Sequence, residues 1–193
     1  MEPWTPERMA AETQKQMPGK RWEHTLGVVA TAVRLAEQYG ADAGKAELAA
    51  LLHDFCKYWE PERLKSVLAE EGMVCDLLEY DIQLLHAPAG AYVVRREFGI
   101  DDTEVLDAIR FHTSGRVGMS VLDKIVCLAD YMEPNRNFPG VDRIRELAGT
   151  SLEEALVAGF DSTIQYLIDK RQKIYPLTLQ ARNALIDELR AKR

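Results

Sequence analysis

An imidazole, a carboxylate and an ammonium close the apolar run Leu48-Ala-Ala-Leu-Leu-His53-Asp54-Phe55-Cys56-Lys57, a combination that a core helix does not ordinarily carry. Burying one unpaired polar group costs roughly 1–3 kcal/mol, so an adjacent His-Asp inside an apolar segment calls for a strong partner, and a metal ion is the leading candidate. The other histidines point the same way. His24, His86 and His112 each lie in an apolar, helix-like segment, and with His53 they are all the histidines of the chain. With Asp130 they give nitrogen and oxygen donors in the order His24, His53-Asp54, His86, His112, Asp130.

Six donors suit two divalent ions better than one, because a single ion takes about four to six ligands and would keep no position for substrate. Asp54 can bridge two ions through its two oxygens; a histidine cannot. Two ions roughly 3.5–4 Å apart lower the pKa of a water and clamp the oxygens of an in-line phosphoryl displacement. The implied reaction is hydrolysis of a phosphate ester or anhydride. A donor set without thiolate favours iron or manganese and leaves zinc open. A lone histidine on an apolar helix is more often a core residue than a ligand, but six coincident positions weigh the other way.

Around these donors stand cations and hydroxyls. Lys57, four residues past His53, can reach a phosphate lying over the ions, and Arg136 offers a planar fork for two phosphate oxygens. Either also reads as an exposed cation at a helix end or loop. Thr113 and Ser114 can donate hydrogen bonds to the same substrate. Asp123 either orients a ligand histidine or caps a surface face. Lys124, six residues before Asp130, falls on the opposite side of its helix and reads as a structural cation paired with a carboxylate.

The elements that must position these residues are helical throughout. Thr5-Pro6 starts a helix to about Gln16, which Pro18-Gly19 ends. Residues 22–39 put His24, Val28, Thr31 and Leu35 on one face, with Gly40 at the C-terminal cap. Asp42 caps a helix that is apolar around most of its circumference, runs to Phe55 and holds His53 and Asp54 in its last turn. Glu60-Pro61 restarts a helix that Gly72 stops. His86 opens a segment closed by Gly99, and Asp101-Asp102-Thr103 caps one that carries His112 near its C-terminal end before Ser114-Gly115. Residues 120–132 carry Asp123, Lys124 and Asp130. After a loop dense in proline, asparagine and glycine at 133–140 come a short helix near Val141–Leu147, a long one over 151–172 and a last one after Pro176. No period-two alternation and no fixed-period repeat interrupts the series. The fold class is all-α, with the six donors drawn from five helices.

At 193 residues the chain fits one domain, 1–193, with 1–19 as a docked helical extension and 181–193 as the end of the last helix. A formal charge of −7 argues against a general nucleic-acid or anionic-membrane binder, while a small phosphorylated substrate needs only local cations or a metal. No apolar run approaches the roughly 18 residues of a membrane span, and the first residues lack a secretory pattern, so a cytoplasmic location is expected. Cys56, Cys75 and Cys127 form no C-x-x-C pair, which indicates neither a disulfide framework nor a thiolate zinc site. Cys127 reads as a small buried hydrophobe.

The order H…HD…H…H…D resembles the HD superfamily of metal-dependent phosphohydrolases, an all-helical bundle with a metal site at its centre, and the two histidines between the HD pair and the last aspartate resemble its binuclear branch. The words Arg21-x-x-His24, His53-Asp54-x-x-Lys57, His86-x-x-x-Gly90, His112-Thr113-x-Gly115 and Ala129-Asp130-Tyr131-x-Glu133-Pro134-x-Arg136 are similar, more narrowly, to the YqeK family. The resemblance spans about residues 20–180. It implies symmetrical hydrolysis of diadenosine tetraphosphate to two ADP with iron as the metal. His24, His53, Asp54 and Asp130 would hold one ion, and Asp54, His86 and His112 the other. Asp54, Lys57 and Arg136 would carry the catalysis, and a dinucleoside polyphosphate or nucleotide would be the partner, with a homodimer left open. Another HD phosphohydrolase, acting on a nucleoside monophosphate, a deoxynucleoside triphosphate, a guanosine alarmone or a cyclic dinucleotide, is the enzymatic alternative. A non-catalytic metal- and nucleotide-binding helical module is the other.

Overall fold

Local signals set where most of the helices start. In the computed structural model, which describes residues 4–73 and 76–192, the elements are α1 (Pro6–Lys15), α2 (Gly19–Tyr39), α3 (Ala43–Leu52), α4 (Pro61–Glu70), α5 (His86–Phe98), α6 (Thr103–Arg110), α7 (Val121–Met132), α8 (Val141–Leu147), α9 (Leu152–Asp169) and α10 (Pro176–Ala191). Cys75 lies outside the described residues. Thr5, Asp42, Asp102, Ser120 and Ser151 each accept a backbone N–H in the first turn of the helix they precede, and proline opens α1, α4 and α10. No strand occurs among the described residues, and none of their helices is long and apolar enough to cross a membrane.

The core is built around α7, which lies against α2, α3, α6, α8 and α9. Leu122, Ile125, Val126, Cys127, Leu128 and Ala129 are all buried, so α7 is apolar almost all round, as a central helix should be. On α3 the small residues Ala46, Ala49 and Ala50 let α2 approach closely. Burial pushes the Cys127 thiol well up, which fits its reading as a small hydrophobe.

Two helices end earlier than their apolar pattern suggests. α3 stops at Leu52 rather than Phe55, and α6 stops at Arg110, two residues before His112. The histidines themselves account for this. The Nδ1 of His53 lies 2.6 Å from Ala50 O and that of His112 lies 2.8 Å from Ile109 O, so each ring takes the carbonyl that the next residue's amide would have used in a continuing helix. After His53 the chain turns in short i→i+3 steps, with Phe55 N to Leu52 O at 3.0 Å and Lys57 N to Asp54 O at 2.9 Å. His53, Asp54 and His112 therefore stand on turns, not within helices. α9 likewise ends at Asp169, short of residue 172.

Lys124 is buried and donates to Glu153 Oε1 at 2.8 Å and to Glu188 Oε2 at 2.5 Å, tying α7 to α9 and α10. Burial pushes the Glu153 carboxyl up, but hydrogen bonds from Lys124 and Lys192 outweigh it and hold the group at about 2 instead of 4.5. We expect Lys124→Met to destabilise the fold by about 2 kcal/mol in urea unfolding. That is below the figure for a fully buried pair, because Glu188 is part-exposed and Lys192 still reaches Glu153. A depressed carboxyl stabilises above its unfolded pKa and ceases to do so as the pH falls through its folded value. The gap between wild type and variant should be full above pH 4.5 and close as the pH falls toward about 2.

Candidate metal centre and adjoining cavity

Six side chains from distant parts of the chain meet at the middle of the bundle. α2 brings His24, the turn after α3 brings His53 and Asp54, the first residue of α5 is His86, the turn after α6 brings His112, and α7 brings Asp130. His24 Nε2 lies 3.0 Å from Asp130 Oδ1, His53 Nε2 3.1 Å from Asp54 Oδ2, and His86 Nε2 3.0 Å from Asp54 Oδ1. His112 Nε2 is 3.8 Å from the same Asp54 oxygen and 3.2 Å from His86 Nε2. Donor atoms of His24, His53 and Asp130 lie within 4.8 Å of one another, as do those of His53, Asp54 and His112.

All four imidazoles turn the same nitrogen outward. His24 Nδ1 meets Glu133 Oε1 at 3.0 Å, His53 Nδ1 meets Ala50 O, His86 Nδ1 meets Gln83 O at 2.5 Å, and His112 Nδ1 meets Ile109 O. An oxygen facing Nδ1 places the proton there, which leaves the Nε2 lone pairs to converge inward. This is the arrangement of metal-ligating histidines, whose second nitrogen donates to a fixed oxygen.

A divalent cation fits the convergent set. His24 Nε2, His53 Nε2 and Asp54 Oδ1 are buried and make no hydrogen bond, although carboxylate or imidazole atoms lie about 3 Å away. The separations are short but not aligned for N–H···O donation, which is how atoms sit when they aim at a common point. Two Nε2 lone pairs 3.2 Å apart repel unless a cation lies between them, and that spacing suits neighbouring ligands each roughly 2.0–2.1 Å from one ion. The protonation states of the two carboxylates and of His86 and His112 agree. Burial opposes ionisation of Asp54, but the facing imidazoles of His53 and His86 outweigh it and hold the carboxyl well below the usual range. Burial likewise opposes ionisation of Asp130, where His24 and Arg136 outweigh it. Burial lowers His86, and burial with the charges of its histidine neighbours lowers His112 well below the ordinary value, keeping both neutral. At His53 burial pulls down, but the negative charge of the Asp54 carboxylate prevails and raises the pKa.

A cavity of about 810 Å³ adjoins the cluster through His112 and Asp130. Its walls include Thr113, Tyr131, Arg136, Phe138, Thr163, Tyr166 and Asp169. Arg136 stands at this wall with its fork turned onto Asp130, donating from Nε to the backbone O at 2.7 Å and from Nη2 to the carboxylate. Thr113 lines the cavity. Ser114 is buried, and its hydroxyl donates to Gly115 O at 2.9 Å. The Lys57 ammonium lies 3.5 Å from His86 Nδ1, carried there by the turn after α3 rather than by helical spacing, and burial pulls its pKa down. Asp123 faces away from the histidines: it forms a capping box with Ser120 and pairs with Arg116 at 2.7 Å.

Two residues of the cluster carry no assigned role in the sequence reading. Arg21 donates to Asp54 Oδ2 from Nε at 2.5 Å and also from Nη2, and it lies 4.0 Å from Asp130 Oδ1. Glu133 holds His24. Both stand in sequence words already singled out, Arg21 three residues before His24 and Glu133 three after Asp130, and i,i+3 spacing from a donor puts a residue beside it.

A helical bundle that closes on four inward-facing imidazoles and two carboxylates defines the class of His-Asp metal-centred helical domains. The chain belongs to the HD-domain family, whose profile matches residues 21–135, and to its YqeK branch. The symmetrical bis(5'-nucleosyl)-tetraphosphatase of Bacillus subtilis strain 168 is 47% identical over 180 residues, covering 93% of this chain and 97% of its own. The Halalkalibacterium halodurans protein of the same name is 51% identical over 168 residues, 87% of this chain and 90% of its own. A crystal structure from Clostridium acetobutylicum, of an HD superfamily hydrolase described as involved in NAD metabolism, superposes with a TM-score of 0.93 at 41% identity, covering 97% of this chain and all of that one.

Proposed function

We propose that this chain is a di-metal phosphohydrolase that cleaves diadenosine tetraphosphate symmetrically into two ADP, with iron as the preferred ion. The observation that carries the chemistry is the convergence of four Nδ1-anchored imidazoles and two carboxylates at the edge of a large cavity. The substrate is supported by the symmetrical tetraphosphatases that share about half of its residues. His24, His53, Asp54 and Asp130 would hold one ion and Asp54, His86 and His112 the other, with Asp54 between them. When bound, the ions supply an activated water and charge stabilisation for an in-line phosphoryl displacement.

The protein's own groups do the rest. Lys57, Arg21 and Arg136 bring three cations around the carboxylates, which offsets the charge of a tetraphosphate entering an acidic chain. Arg136 at the cavity wall would exchange one Asp130 oxygen for a phosphate oxygen, and Thr113 beside His112 would donate from the same wall, a reading supported by their both lining the cavity. Ser114 reaches substrate only by turning its hydroxyl from Gly115 O. Tyr131, Phe138 and Tyr166 offer the cavity's aromatic surface to a nucleoside. Because phosphoryl transfer depends mostly on positioning and electrostatics, a cavity that fixes one nucleoside beside the cluster also fixes which phosphorus reacts.

The test is metal analysis of anaerobically purified protein combined with an assay that resolves ADP from AMP plus ATP. The expected result is about two ions per chain and ADP as the sole nucleotide product. AMP with ATP would overturn symmetrical cleavage. Fully loaded protein that turns over no polyphosphate would leave a binding module in its place.

A further inference from the structure

Three of the four histidines rest their Nδ1 on a backbone carbonyl, a neutral acceptor; His24 alone rests it on a carboxylate, that of Glu133. We infer that Glu133 is a positioning residue that tightens the ion position on His24 beyond what its own donors give, and so widens the gap in affinity from the position on His86 and His112. This rests on the two-ion reading of the centre above, though not on the substrate.

The geometry around Glu133 leaves it little else to do. Its side chain is 1% exposed, and among the described residues the ion pair it makes is with His24 at 3.0 Å. Oε2 accepts from the backbone amide of Asn135 at 2.8 Å. Arg145 does not pair with the carboxylate: its guanidinium clamps the carbonyl oxygens of Met132, Glu133 and Arg136 at 2.9–3.1 Å and so fixes the backbone from which Glu133 projects. On the facing helix, a Cβ at Gly27 would collide with Glu133 Oε2, so the absence of a side chain there is what lets the carboxylate reach His24 one turn earlier on α2. Space, backbone and hydrogen bonds all converge on one contact.

A buried carboxylate needs a positive partner; the Arg136 guanidinium acts on it from a distance, and its direct contact is with the imidazole. Accepting the Nδ1 proton strongly, it raises the electron density at Nε2 and orients the ring, which is what an outer carboxylate does for a ligating histidine. A carbonyl does the same more weakly. The electron-rich histidine sits with Asp130, whose own carboxylate is 3.0 Å from its Nε2. The other position offers two carbonyl-anchored imidazoles and shares Asp54. The ordering of affinities follows from that difference in donors.

The experiment is manganese(II) content after dialysis against a graded chelator series, for wild type, Glu133→Gln and Gly27→Ala, with helicity followed by circular dichroism. Wild type should lose its two ions in separate steps. Glu133→Gln keeps the size but offers one acceptor oxygen for two N–H donors, His24 Nδ1–H and Asn135 N–H, and should release the later ion at roughly 10–100-fold lower chelator while the earlier step stays in place. Gly27→Ala, which displaces the carboxylate without altering it, should shift the same step. In a His24→Gln background, Glu133→Gln should change nothing further. Parallel loss of both ions, or retention equal to wild type, overturns the proposal. Wild type that binds no manganese overturns the two-ion reading as well, whereas loaded wild type that makes no ADP from diadenosine tetraphosphate sinks only the substrate.

Discussion

Asp54→Asn is expected to reduce turnover of diadenosine tetraphosphate by about three orders of magnitude or more, the scale of loss when a preorganised electrostatic group is taken from an active site. Asp54 is 1% exposed and, among the described residues, is the one side chain whose oxygens face three imidazoles, with Oδ2 on His53 and Oδ1 on His86 and His112. Asparagine keeps the shape but loses the charge and one acceptor, so it can serve neither as a bridge nor as the counter-charge for Arg21. Circular dichroism should show the helices intact, because the turn that carries residue 54 is held by backbone bonds and by the His53 ring on Ala50 O. Metal content should drop with activity. Near-normal turnover by this variant would falsify the proposed role of Asp54.

The contrast between Asp54 and its surroundings shows what a one-dimensional reading can see. Residue type and order were enough to nominate the donors, because four histidines and two aspartates in apolar segments have little else to do, and the caps at Thr5, Asp42 and Asp102 were visible as local patterns. The ends of α3 and α6 were not visible. Periodicity carries an apolar helix onward until something competes for its carbonyls, and the competitors were the His53 and His112 rings, whose other nitrogen was already assigned to chemistry. Each of these rings does two jobs, capping a helix through Nδ1 and facing the centre through Nε2. Glu133 and Arg21 were missed for a related reason: they act on donors that are distant in sequence, 109 residues for Glu133 to His24 and 33 for Arg21 to Asp54. The fork of Arg136, read as free for phosphate, is turned onto Asp130, six residues earlier.

Gly115→Ala should be among the most destabilising single-methyl changes in the molecule, at about 3 kcal/mol, which for a chain of this size corresponds to roughly 6–12 °C in Tm. Two costs add. The residue has φ +64°, in the left-handed region where a Cβ costs roughly 1–2 kcal/mol. That Cβ would also stand 2.7 Å from Phe160 Cζ and 2.8 Å from Ala181 Cβ, and overpacking of such a site costs typically 1–3 kcal/mol. Phe160 is fully buried on α9 and Ala181 on α10, so neither can swing aside. If packing is the larger part, Phe160→Leu in the Gly115→Ala background should recover more stability than the same change loses in wild type, a coupling readable in a double-mutant cycle. If backbone strain is the larger part, no recovery should appear. Activity belongs in the same experiment, because Gly115 lies three residues beyond His112 and its amide bonds to Phe111 O at 2.8 Å, closing the turn on which His112 stands. A loop pushed away from α9 and α10 carries His112 with it. Gly115→Ala should therefore lose turnover at temperatures where it is still fully folded, and where packing is the larger part Phe160→Leu should recover part of both together.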